Sequence, residues 1–392
     1  MKRNKVINLL FAVLCLYAGN NLMAQENETF LNPPAVIHNP EDIYKYSEHS
    51  RQFTGIPSMA VSPKGRMWAT WYSGLTPDED MNNYVILATS GDSANHWKEL
   101  LVIDPDGKGP LRAFDPEIWV SPDSTLWLFW AQTIEHDGTK AGIWAMRTKD
   151  IDEPNPKWSK PERLWDGVMM NKPTVLSNGD WLLPVSTWKT TDESAKVVAS
   201  SDNGNTWNLR GACNVPKEHR NYDEHMIVER KDGSLWMLVR TLNGIEESFS
   251  RDKGKTWGTL KPANIKHAVS RFFISRLKSG NLLLVKHGPI HTKTGRSHLM
   301  AFISKDDGLT WSKGLLLDER LGISYPDGQQ MADGTIAIIY DFDRRQEQMI
   351  MMTTFTEADI YDEQYDRAMI KVFERRKQIS KGGRTVVLPK RK

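Results

Sequence analysis

Three segments of this 392-residue chain share one eight-residue pattern, S-x-D-x-G-x-x-W: Ser200 to Trp207, Ser250 to Trp257 and Ser304 to Trp311. A degenerate fourth copy runs from Ser90 through Asp92 to Trp97, with Ala94 where the others carry glycine. The pattern has the chemistry of a turn. Its carboxylate can bond the backbone N–H groups of its own loop, its glycine allows an unusual dihedral, and its tryptophan packs into a neighbouring layer. Repetition of one such element marks a chain built from stacked supersecondary units, and the residues of the turn serve the scaffold.

A second repeat sets the number of units. Short turns at Gly65, Ser124, Gly179, Gly233, Gly280 and Gly334 each separate strand-like runs, as in Ser121-Pro122-Asp123-Ser124 before Leu126-Trp127-Leu128-Phe129-Trp130. Turn residues between apolar runs are the hairpin signal. Each hairpin but the last is followed by an S-x-D-x-G-x-x-W turn or, at Arg147 to Trp158, a weaker stretch in the same place. Four strands per unit in six units predict an all-β fold, a six-bladed β-propeller over residues 36–355. Blade six lacks the outer turn, and its missing outer strand is expected from the N-terminal segment near Ala35 to His38. From Thr356 the chain reads as one amphipathic C-terminal helix, with Tyr361, Tyr365, Ala368, Met369 and Val372 at helical spacing, followed by a basic tail over 356–392.

The ends of the chain bear on where it works. Residues 1–24 have a basic start (Lys2, Arg3, Lys5), an apolar run from Val6 to Ala18 and Leu22-Met23-Ala24 before Gln25, the form of a secretory signal. Export to the exterior or periplasm is expected, as a monomer without membrane insertion. Leu14 before Cys15 argues against lipidation. Once the leader is removed only Cys213 remains, so no intramolecular disulfide can form. The formal charge of +2 conceals nine Lys or Arg against Glu374 alone in residues 371–392. The body is therefore acidic, which argues against nucleic acid as a partner. The histidines show no metal-ligand spacing, and no glycine-rich phosphate loop opens a helix, so neither metal nor cofactor is expected.

A propeller carries its ligand site at one end of the central channel. Counting nine residues back from each hairpin turn gives Ile56, Asp115, Glu224, Arg271 and Tyr325, with Lys172 taken for the shorter hairpin of blade three. Seven residues after the turn stand Tyr72, Ala131, Ser186, Arg240, His287 and Asp341. Carboxylates, cations and a phenol at one rim suit a polar, charged ligand.

With these residues in view, the chain resembles the sialidase superfamily over roughly residues 50–345, its repeated turns being that family's Asp boxes. The resemblance implies a glycosidase with a tyrosine nucleophile assisted by a glutamate, an aspartate acid/base and three arginines that hold the substrate carboxylate. Asp223-Glu224-His225 resembles the segment bearing the glutamate, and Ser324-Tyr325-Pro326-Asp327 that of the nucleophile. Arg240 and Arg296 are similar to the second and third arginines. The family's first arginine stands in an R-I-P sequence, and here Gly55-Ile56-Pro57 lacks it, so Arg271 or Lys172 would supply a cation from another direction. Asp78, Glu79 and Asp80 occupy the acid/base loop, and Asp80 is taken for that role. The expected substrate is a glycan with a terminal acidic or polar sugar, bound by Arg240, Arg296, Arg271, Asp115, Lys172 and His287. Two other readings stay open: a lyase or rhamnosidase-like propeller in which His225 or His287 works with Tyr325 on a uronic-acid glycan, and a glycan-binding propeller without catalysis.

Overall fold

All six predicted hairpins form the inner pair of an antiparallel sheet in the computed structural model, which describes residues 29–383 except 41, 42, 92, 108, 135 and 137. The predicted leader at 1–24, Asp92 and the tail beyond Gly383 lie outside the described residues. First strands run along the centre at Phe53–Val61, Leu111–Val120, Met226–Glu229, Phe273–Arg276 and Ile323–Gln330, with the two short pieces Val168–Met169 and Thr174–Val175 in blade three. Second strands such as Leu235–Thr241 and Ile336–Phe342 are almost wholly buried, as expected of a sheet packed on both faces. Trp68, Trp71, Trp127, Trp130 and Trp181 are among the largest side chains fully enclosed between blades. The result is a six-bladed β-propeller.

The repeated turns lie between third and fourth strands and follow the chemistry read from their sequence. In the copy at Ser304, Asp306 accepts from Thr310 N at 2.8 Å, and Gly308 N donates to Ser304 Oγ at 2.8 Å. Asp307 and Gly308 are both left-handed, with φ of 56° and 88°. The degenerate copy keeps the conformation without glycine, since Ser93 and Ala94 have φ of 59° and 64° and Ala94 N still donates to Ser90 Oγ at 3.2 Å.

Two features of the chain ends differ from the sequence reading. Ala35–His38 does not complete blade six; it pairs with Lys98–Asp104 as a fifth strand outside blade one. Blade six takes its outer strand from Lys377–Lys381, paired with Met349–Phe355. The segment Lys-Gln-Ile-Ser-Lys has one apolar residue, so it carries little strand signal of its own, and the pairing is set by the edge it covers. The single helix is two, Glu357–Tyr361 and Tyr365–Glu374, interrupted at Asp362. A capping box between Thr356 and Asp359 starts the first, and Ala368 and Val372 bury the second.

Among the described residues no strand is shared between blades one and six, and side chains of blade six close the ring by bonding blade one. Asp341 accepts from Ile56 N at 2.9 Å, Asp327 from Met59 N at 2.8 Å and from Ser58 Oγ at 2.7 Å, and Gln329 bonds both Val61 N and Val61 O at 2.9 Å. Among the described residues no helix is long and apolar enough to cross a membrane.

Candidate active site

One backbone device, used in three blades, delivers side chains to the axis. Ile56, Asp115 and Tyr325 each precede a proline, and each is left-handed, with φ of 57°, 43° and 53°. At each the ladder slips, between Gly55 and Ser58, Phe114 and Glu117, and Ser324 and Asp327. Such a bulge re-aims the side chain that it carries. All three residues line one narrow cavity of about 20 Å³, together with Glu79, Arg112, Phe114, His136, Met170, Trp188, Tyr222 and Glu224.

At the bottom of this cavity three groups meet. The Tyr325 hydroxyl donates to Glu224 Oε1 at 3.0 Å and accepts from Arg240 Nη1 at 3.0 Å, while Arg240 also pairs with the same Glu224 oxygen. Glu224 Oε2 and Arg240 Nε are buried, and among the described residues no hydrogen bond reaches either. Burial, and then the charge of Glu224, push the phenol of Tyr325 up, against the pull of Arg240, Arg296 and Arg344. The phenol thus keeps its proton at rest, in contact with Glu224.

Around the ring stand further cations. The guanidiniums of Arg344 and Arg296 lie 5.0 and 5.4 Å from the Tyr325 centroid. Arg296 is half-exposed and bonds Ser324 Oγ at 3.4 Å and Val269 O at 3.3 Å. Arg344 pairs with Glu79 at 2.9 Å, and burial of Glu79 is outweighed by Arg344 and Arg112, which hold its carboxyl low. Asp115 is the opposite case. Its burial, and then the charges of Glu224 and Glu79, push its carboxyl up to about 8. Two carboxyl groups in one cavity are thereby driven apart, one ionised and one protonated at neutral pH.

The predicted set divides accordingly. Tyr325, Glu224, Arg240, Asp115 and Arg296 are brought together. Asp80 is turned to its own loop, accepting from Thr76 Oγ1 at 2.6 Å and Asn82 N at 2.8 Å, and its neighbour Glu79 lines the cavity. Arg271 has its guanidinium under the Tyr325 ring, bound to Glu117 at 2.8 Å, Met170 O at 2.6 Å and Pro57 O at 3.0 Å. Lys172 bonds Asp327 at 2.6 Å and Gly328 O at 3.0 Å. These two cations plug the channel below the cavity and have their partners there. His287 is fully buried, bonded to Ile323 O at 2.9 Å and stacked on His267 at 5.2 Å; burial lowers it to about 4, so it is neutral. It does not line this cavity.

Arg344, Arg112, Trp188 and Tyr222 were missed. Arg344 carried a signal: it stands three residues after Asp341, itself a rim position of blade six. In blade three the uniform count of nine reaches Met170, which does line the cavity; the two-residue correction for its hairpin led instead to Lys172.

A larger cavity of about 450 Å³ opens at the channel wall near Trp119, Thr174, Glu229 and Arg276. Its polar groups are engaged with one another, Arg276 with Gly280 O and Glu229 O at 2.7 Å and Thr174 with Ile227 O at 2.7 Å. The smaller cavity is the one that gathers Tyr325, Glu224, Asp115 and Glu79. Among the described residues, no three or more His, Cys, Asp and Glu are grouped to hold a metal ion.

Comparison with known proteins gives a concordant picture. A family model described as BNR repeat-like domain matches residues 65–338. A sialidase of Paraclostridium sordellii is 24% identical over 395 residues, covering 86% of this chain and 93% of the relative. Among solved structures, the Hadza microbial sialidase Hz136 superposes with a TM-score of 0.61 at 18% identity, covering 75% of this chain. The chain spans 64% of Hz136, less than two thirds of it. The intramolecular trans-sialidase from Ruminococcus gnavus, in complex with oseltamivir carboxylate, has a TM-score of 0.62 at 14% identity, covering 81% of this chain and 97% of that one. At these identities the structural likeness is one of fold.

Proposed function

Starting from a chain that belongs to the BNR repeat-like family of the sialidase superfamily, we propose that it is an exported exo-glycosidase that removes a terminal acidic sugar from glycans with retention of configuration. The observation that carries it is the Tyr325 hydroxyl held between Glu224 and Arg240, 3.0 Å from an oxygen of one and a nitrogen of the other.

In this reading the phenolic oxygen attacks the anomeric carbon as its proton passes to Glu224, and Arg240 stabilises the negative charge that develops on that oxygen. The bond to the leaving oxygen breaks as Asp115 gives it a proton. The glycosyl–tyrosine that results is opened by water, with Asp115 taking the water's proton and Glu224 returning one to the phenolate. Two inversions give retention. A neutral nucleophile suits a substrate whose own carboxylate is bound beside it, by Arg240 and Arg296. A cavity of about 20 Å³ holds a water rather than a sugar, so binding requires the half-exposed side chains at its mouth to move apart.

The lyase reading loses support because neither of its histidines lines the cavity that holds Tyr325. Both ring nitrogens of the buried His225 contact carbonyls, Asp223 O at 2.8 Å and Lys196 O at 2.9 Å. The deciding experiment is incubation with glycans ending in sialic, other keto-deoxy, uronic and neutral sugars, with products identified by mass and anomeric configuration by NMR. Release of a keto-acid sugar, first as the anomer of the substrate, supports the proposal. An unsaturated product, an inverted one, or binding without turnover overturns it.

A further inference from the structure

We propose that Gly55 and Arg344 form one specificity-determining unit, in which an arginine from the last blade reaches the substrate carboxylate through a space that only glycine at position 55 leaves open. This inference rests on the acidic-sugar reading above.

Gly55 lies in the first strand of blade one, paired with Tyr72, and its backbone is not in the left-handed region that ordinarily calls for glycine. Glycine inside a strand costs conformational entropy and packs nothing, so close approach by another group is the remaining reason for it. That group is the stem of Arg344. A Cβ at position 55 would stand 2.5 Å from Arg344 Cγ, closer still to Cδ, and 3.1 Å from Asp341 Oδ2. Side chains at 55 and 344 therefore compete for one volume.

The rest of Arg344 is held as a built arm. Its carbonyl accepts from Thr54 N at 3.0 Å, its Nε lies 3.9 Å from Asp341, and its guanidinium passes over the Phe53 ring at 5.7 Å before reaching Tyr325 at 5.0 Å. At the tip Glu79 occupies the guanidinium at 2.9 Å. A carboxylate already sits where an anionic ligand would bind, and Glu79 is exposed enough, at 31%, to be exchanged for one. Arg240 at the hydroxyl, Arg296 and Arg344 stand about the phenol together with Arg271, which is taken up by Glu117 and two carbonyls. A planar anion next to the carbon that Tyr325 attacks is the ligand group that this arrangement fits.

The test uses the full chain and two probes, free N-acetylneuraminic acid and its methyl ester, with binding followed by tryptophan fluorescence and turnover by an aryl α-glycoside of the acid. Arg344→Ala should weaken the acid about ten- to a hundredfold, the scale of a charge-assisted contact, and leave the ester unchanged. Arg344→Lys should recover part of the loss while keeping the fold. Gly55→Arg alone should impair both probes through collision with the Arg344 stem, and the Gly55→Arg/Arg344→Ala double variant should restore preference for the acid. Equal loss of acid and ester in Arg344→Ala, unchanged binding of both, or a double variant no better than Gly55→Arg overturns the inference. Wild-type turnover of the sialoside with Arg344→Ala indistinguishable sinks this inference alone; a wild type that neither binds nor cleaves any acidic sugar sinks the functional reading and this inference with it.

Discussion

Tyr325 Oη and Glu224 Oε1 stand 101 positions apart in the chain and 3.0 Å apart in the fold. The contact joins blades six and four across the axis, with the phenol as donor. Tyr325→Phe removes the oxygen proposed to attack and should lower kcat by at least the 10²- to 10⁴-fold typical of losing a proton-transfer partner, with KM little changed. Glu224→Gln should lose a similar factor. It also leaves Arg240 buried without its counter-charge, a cost of about 3–5 kcal/mol, so thermal unfolding should separate the two: Tyr325→Phe melts near wild type, Glu224→Gln well below it.

In the proposed mechanism Asp115 should set the alkaline limit of activity. Its carboxyl is pushed up to about 8, so it is protonated below that pH and ionised above it. The proton for the leaving oxygen is therefore available at neutral pH and lost as pH rises through about 8, where kcat/KM should fall. Asp115→Asn should remove this limb and should slow glycosides with poor leaving groups far more than nitrophenyl glycosides, whose leaving oxygen needs no proton. A wild-type profile flat to pH 9.5 would assign the proton elsewhere.

Asp327 holds the ring shut. It pairs with Lys172 at 2.6 Å and accepts from Ser58 Oγ and Met59 N at 2.7 and 2.8 Å. Asp327→Ala leaves a buried lysine unpaired and should cost about 3–5 kcal/mol, read as a lowered denaturation midpoint. Asp306→Ala in an outer turn breaks only local bonds and should cost about 1–2 kcal/mol.

Chains ended at Arg376 lack the strand Lys377–Lys381 and expose the edge Met349–Phe355, a run of apolar residues. They should aggregate, as bare apolar edges do. Chains starting at Asn39 lose the fifth strand of blade one and the Phe30 and Asn32 carbonyls that accept from the buried Gln132; they should stay monodisperse by light scattering, with a drop in melting temperature.

How far the sequence reaches depends on whether a residue's partners are local. The outer turns were legible because Asp306, Thr310 and Gly308 satisfy one another within a few residues. Blade count followed from the six hairpin turns, and register from counting out from them, so Tyr325, Glu224, Asp115 and Arg240 could be found along the strands. Arg271 and His287 were found at the correct strand ends, but their partners, Glu117 and Ile323 O, come from other blades. Nothing local distinguishes such a buried ion pair from a ligand-binding arginine. Glu79 and Asp80 were separated by one residue and by the direction of a loop. The closing strand Lys377–Lys381 lay hidden because an edge strand with one apolar residue has almost no period to read.

The three left-handed residues before proline have a consequence for how this site can change. Ile56, Asp115 and Tyr325 are chemically unrelated and conformationally the same, with φ within 43–57°. Blades one, two and six thus offer three interchangeable sockets around one axis, two of them fitted with reactive groups and one blank. An acid, an imidazole or a thiol written into position 56 would emerge over Tyr325 on a main chain already bent to present it. New reactions could then be sought by rewriting single letters, with the scaffold left alone.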